Sequence, residues 1–110
     1  MVIQKICRFI SNTTSPIVSK IFPNPYADTL TLQIDGANGL YHVEGRTSAH
    51  DAWVSLAGID LGELTAVRGG FTKAGIYELG VVGIREIRVR VERVDGEVSV
   101  SGQLISAEEA

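Results

Sequence analysis

Apolar and polar positions alternate along most of this chain, most regularly in its last third. From Ile84 to Ile105 it reads IREIRVRVERVDGEVSVSGQLI. Ile87, Val89 and Val91 share one side of a two-residue period, with Glu86, Arg88, Arg90 and Glu92 on the other, as in a half-buried strand. Asp95-Gly96 separates this run from a second one carrying Val98, Val100 and Leu104. That dipeptide is a favoured centre for a two-residue type I′ turn, so the pattern predicts a long hairpin. Arg85 and Arg93 bracket its first strand and are expected to reach solvent. Upstream, Leu30, Leu32 and Ile34 alternate with Thr29, Thr31 and Gln33, giving another strand. The run Asp35 to Gly39 reads as a turn, and Leu40 to Thr47 as the returning partner with Tyr41 and Val43 inward. A strand anchored by Trp53, a glycine bend, a break at Arg68-Gly69-Gly70 and a short strand in GIYELGVVG fill the middle.

The first 28 residues follow a different rule. Ile3, Ile6, Cys7 and Ile10 fit the helical spacing i, i+3, i+4, i+7. The β-branched content, the short length and the missing capping residue favour a strand instead. Asn12 to Pro16 reads as a loop, Ile17 to Ile21 as a second strand, and Phe22 to Tyr26 as a proline turn. Prolines cannot join a central sheet, so residues 1–28 are expected to be a strand or arm segment that forms an interface, with Ile3, Phe9, Ile21, Phe22 and Tyr26 as its contacts. Residues 29–106 form the core and 107–110 a polar end. Evenly spaced strands without intervening helices predict an all-β fold, an antiparallel β-sandwich or jelly-roll-like single domain.

Composition narrows the class. The 110 residues are 45% hydrophobic, with twelve glycines and three prolines, which suits one small domain of short strands and tight turns. A net charge of −3 supplies no broad attraction to nucleic acid or an anionic membrane. The single cysteine, Cys7, leaves no intrachain disulfide, so stability is expected from packing and from a partner chain. Lys5 and Arg8 interrupt the apolar N-terminus as no signal-peptide core would, and no apolar run approaches the roughly 20 residues of a membrane span. Asn12-Thr13-Thr14 matches a glycosylation sequon but reads as a polar turn.

Candidate chemistry is sparse. Cys7 with His42 or His50 and Asp51 has the residue types of a nucleophile, base and orienter, yet a cysteine in an apolar pattern reads as core. His42 and Glu44 share a strand face but lack a third metal ligand. Asp35, Asn38, Asp60 and Glu63 lie near glycine turns without a calcium-loop spacing, and Asx turns account for Asp35 and Asn38. Arg68 to Lys73 lacks the spacing of a phosphate loop. The glutamates beside Arg88 and Arg90 cancel their attraction for phosphate, leaving cross-strand or interchain ion pairing. Trp53 and Tyr41 are candidate sugar-stacking side chains or simply core aromatics. The expectation is a non-enzyme without cofactor or metal.

Several blocks carry a resemblance. Trp53-Val-Ser-Leu-Ala-Gly, then Gly75-Ile-Tyr77-Glu-Leu-Gly80-Val-Val-Gly83, then Ile84-Arg-Glu-Ile-Arg88-Val-Arg90-Val, and finally Asp95-Gly96-Glu-Val-Ser-Val-Ser-Gly102 resemble the small β-sandwich virion proteins of tailed bacteriophages. The likeness spans roughly Leu30 to Ile105 and leaves the N-terminal 28 residues outside. It implies a capsid decoration, head-fibre or tail-appendage role and an oligomer, with a trimer favoured. Its implied partners are further copies of the chain and a major capsid or other virion protein, with neither nucleic acid nor membrane. The expected location is the virion, after synthesis in the host cytoplasm. The family has no catalytic residues to carry over. A carbohydrate-binding β-sandwich, such as a receptor-binding appendage using Trp53 and Tyr41, is the alternative.

Overall fold

The computed structural model describes residues 2–107, with side chains described for residues 4–106. Among the described residues eleven strands are formed: β1 (Val2–Thr13), β2 (Ile17–Val18), β3 (Phe22–Pro23), β4 (Thr29–Gly36), β5 (Gly39–Arg46), β6 (Val54–Ser55), β7 (Gly58–Asp60), β8 (Thr65–Val67), β9 (Gly75–Gly80), β10 (Glu86–Val94) and β11 (Val98–Ala107). No helix occurs among the described residues. One sheet has the order β1-β11-β4-β9-β7-β8, and the other β2-β10-β5-β6 with β3 also on β10. Every pairing is antiparallel. The all-β sandwich expected from the alternation is present.

The core lies between the sheets, where the predicted apolar faces meet. Leu30, Leu32 and Ile34 of β4, Tyr77 and Leu79 of β9, and Val98, Val100 and Leu104 of β11 line one wall. Tyr41 and Val43 of β5 with Ile87, Val89 and Val91 of β10 line the other. Burying side chains of this size contributes about 1.5–3 kcal/mol each. Phe71, from the Arg68–Lys73 stretch, is buried edge-to-face against Tyr77 with centroids 4.7 Å apart. That stretch is a connector that plugs the core.

Neither long predicted hairpin is a hairpin. β10 and β11 belong to opposite sheets, as do β4 and β5. Asp95 and Gly96 both have negative φ, whereas a type I′ turn needs positive φ at both positions. The two connections instead turn the corner together. Gly36 pairs with Val98 in one sheet and Gly39 with Val94 in the other. Between them Ala37 N donates to Glu97 O and Asp95 N to Asn38 O, both at 2.9 Å, so each connection satisfies backbone groups of the other. The result is a nested pairing, β4 with β11 and β5 with β10, such as a rolled-up hairpin produces.

The N-terminal segment is a strand, and the inward placement of both Cys7 and Ile10 has a structural cause. Cys7 faces inward and Ile6 outward, as alternation requires. Register shifts beyond Arg8 then form a bulge that turns both Phe9 and Ile10 into the core. Phe9 meets Phe22 edge-to-face at 4.8 Å. The division drawn at residue 28 therefore does not separate two units, because residues from β1 and β3 complete the sandwich. The predicted strand over Ile17 to Ile21 shortens to β2, and Trp53 lies just before β6, outside a strand. The polar end at 108–110 lies outside the described residues.

Candidate functional site

Polar chemistry concentrates on the outer face of the β5–β10 pair. Alternation sends His42, Glu44 and Arg46 outward from β5, and Glu86, Arg88 and Arg90 outward from β10. The register sets Arg46 opposite Glu86, Glu44 opposite Arg88, and His42 opposite Arg90. Arg46 Nε donates to Glu86 Oε1 at 2.8 Å. Glu44 accepts from Arg88 Nε at 2.9 Å on one oxygen and from Arg90 Nε at 3.1 Å on the other. Glu92 is the extra residue at a bulge between Val91 and Arg93, and its Oε1 meets Arg90 Nη1 at 3.3 Å and His42 Nε2 at 3.0 Å. The ion pairing foreseen from the sequence is thus made across strands within one chain.

Trp53 covers this network. Pairing of β6 with β5 carries it over the arginines, and the Arg46 and Arg88 guanidinium carbons each lie 4.2 Å from its ring centroid. Cation–π contact of this kind adds to the hydrogen bonds. Three guanidiniums and three carboxylates balance. Arg90 is pushed further up by its hydrogen bond to Glu44, while hydrogen bonds from His42 and Arg90 hold the Glu92 carboxyl below its ordinary 4.5. The face is a neutral, interlocked lattice.

One arrangement within it escaped the sequence reading. Ser55 Oγ lies 3.2 Å from His42 Nδ1, opposite the Glu92 contact, forming a hydroxyl–imidazole–carboxylate series. Nothing in the spacing of residues 42, 55 and 92 signals it, because three strands bring them together. A hydrolase also requires a cleft with oxyanion donors beside the hydroxyl. Here Ser55 is exposed on the outer side of a sheet, and Glu92 is shared with Arg90.

The other candidates are scattered. Cys7 is fully buried between the sheets, where burial raises its thiol pKa, far from the outer-face His42. His50 and Asp51 lie in an exposed turn, where hydrogen bonds from Thr47 and Ser48 lower the Asp51 carboxyl. His42 and Glu44 turn to hydrogen-bonding partners, and no cluster of three potential metal ligands occurs among the described residues. Asp60 makes an Asx turn, accepting from Gly62 N and Glu63 N on Oδ1. Of the sugar-stacking pair, Tyr41 cannot stack on a sugar, because it is a core side chain, 1% exposed, whose hydroxyl donates to Ala37 O. Trp53 has its ring engaged by two guanidiniums. Of the expected interface residues, Phe9 and Phe22 are instead core side chains, buried between the sheets. Ile21 and Tyr26 are exposed, and the Ile3 side chain lies outside those described.

No protein-family model matches the chain, and no curated protein matches it in sequence. Two solved structures are similar in fold. The SPBc2 prophage-derived protein YomS aligns over 96% of both chains with a TM-score of 0.85 and 17% identity. The PBSX exported protein XepA aligns with a TM-score of 0.84 and 19% identity over 96% of this chain and 38% of its own. This chain therefore corresponds to little more than a third of XepA.

Proposed function

We propose that this chain is a non-enzymatic structural protein of a bacteriophage, an oligomeric capsid-decoration or head-fibre-type subunit that docks on the virion. The observation that carries the reading is the end-to-end fold likeness to a prophage-derived protein, 96% of each chain. The resemblance of Trp53 to Gly58 and Gly75 to Gly102 to virion β-sandwiches points the same way. Exposed Tyr26, Ile21, Ile6 and Val82 supply apolar surface for subunit contact, and assembly would stabilise a small domain that lacks a disulfide.

The test is the protein content of purified particles. Particles banded in a density gradient should contain this chain at a fixed multiple of the major capsid protein, and antibody labelling should place it on the head. Its absence from particles overturns the proposal. A serine-hydrolase probe that labelled wild-type protein but not Ser55→Ala would overturn the non-enzymatic part separately.

The XepA likeness favours a second reading. There the same fold is one part of a longer protein described as exported, so this chain would act as a module outside the particle. Recovery from the medium and not from particles selects that alternative.

A further inference from the structure

Leu64 is the most exposed large apolar side chain among the described residues, at 79%. Its backbone has φ +57°, a left-handed conformation disfavoured for a residue with a branched side chain. The turn between β7 and β8 enforces that geometry. Leu64 N donates to Asp60 O at 2.7 Å, while Gly62 N and Glu63 N bond Asp60 Oδ1 at 2.8 and 3.2 Å. Asp60 is itself buried, and Lys73 bonds Glu63. Strained backbone persists only where the surroundings over-determine it, and such positions cluster at ligand clamps and switch regions. The turn holds a leucine out as a knob.

A hole lies at the opposite corner of the molecule. Pro23, Tyr26, Ala27, Leu104 and Lys5 border an apolar cavity of about 90 Å³. Its rim is rigid, because the buried Asn24 amide donates to Ile84 O at 2.9 Å and its carbonyl accepts from Ala27 N at 2.9 Å. Benzene occupies a cavity of about 150 Å³, so this one takes an aliphatic side chain and no ring. The hole sits beside β1 and the knob beside β8, the two edges of the same sheet. They also lie at opposite ends of the strands: Leu61 bonds Ile76 near the Gly75–Ile34 end, and Ala27 lies beyond the Thr29–Ile105 end. No single molecule can bring them together.

We propose that Leu64 of one copy inserts into the Pro23–Ala27 cavity of the next, a head-to-tail contact between copies of this chain. Lys5 borders the hole and Glu63 beside the knob is already held by Lys73, so the contact itself is between apolar groups. Each contact leaves one knob and one hole free, so association continues past two copies and closes as a ring or extends as a filament. The contact rests on the self-association proposed above and names its surface.

Sedimentation and native mass spectrometry of four samples test it at a protomer concentration of about 100 µM, above the micromolar dissociation constants of modest interfaces. Wild type should form assemblies of more than two copies. Leu64→Gly, which removes the knob and relieves the backbone strain, should weaken association at least tenfold without lowering the thermal midpoint of dilute protein. Ala27→Leu, which fills the hole, should weaken it similarly. An equimolar mixture of the two variants should stop at a dimer, since one supplies only a hole and the other only a knob. Wild-type assembly unchanged in Leu64→Gly gives the hole another occupant and overturns the contact while self-association stands. A wild type limited to two copies overturns the head-to-tail geometry, and a monomeric wild type overturns both.

Discussion

Glu44 is the residue on which the outer face turns. Its side chain is only 9% exposed and joins Arg88 to Arg90, so truncating it leaves two guanidiniums facing each other over a cavity. Removing one partner of a fully buried pair costs about 3–5 kcal/mol. With the arginines 24% and 33% exposed, Glu44→Ala should cost about 2 kcal/mol, read as a lower urea midpoint at constant m. A null effect would mean that solvent already screens the lattice. Glu92 adds a pH dependence. Its folded pKa lies below the ordinary 4.5, so its contribution is complete above that value and is lost as pH falls through the lower folded pKa. Glu92→Gln should flatten the stability profile below pH 4.5 relative to wild type. Parallel acid limbs would refute the assignment. The charges themselves were legible in the alternation, but Trp53 and Ser55 joining them was not, because β6 has only two residues.

Glycines distinguish one element from another. A Cβ at Gly36 would lie 2.3 Å from Glu97 O, where φ is already +125°. Neither backbone can yield, since both belong to the sheet corner. Gly36→Ala should therefore cost about 3 kcal/mol or more. Gly80, at the end of β9, meets nothing within 4 Å, and Gly80→Ala should stay within about 0.5 kcal/mol. Equal thermal midpoints for the two variants would contradict the corner described here. The turn at Asp35–Gly39 was correctly placed from sequence, yet its meaning was not. A glycine turn between alternating runs looks the same whether its strands stay in one sheet or change sheets.

Over the whole molecule, the sandwich closes only when β1 pairs with β11, two strands from opposite ends of the chain. Cys7, Phe9 and Ile10 enter the core through that pairing, a contribution of about 5 kcal/mol against a total of about 5–15 kcal/mol for a typical domain. Deleting residues 1–13 should abolish cooperative unfolding, monitored by near-ultraviolet circular dichroism and calorimetry. A detachable arm would instead leave a sharp transition. Pairing across so long a loop also predicts folding in milliseconds to seconds.

The sequence by itself determined the class of this protein and the inward side of nearly every long strand. Side-chain direction alternates with period two along an extended backbone, so a short window suffices to read it. Only the tertiary structure decided which strands share a sheet, that Phe9 and Phe22 are core side chains, and that Ser55, His42 and Glu92 meet. Those outcomes depend on pairing between distant segments, and alternation looks the same for every possible partner. The strained Leu64 and the cavity at the opposite corner belong to this second kind, since neither leaves a trace in local pattern.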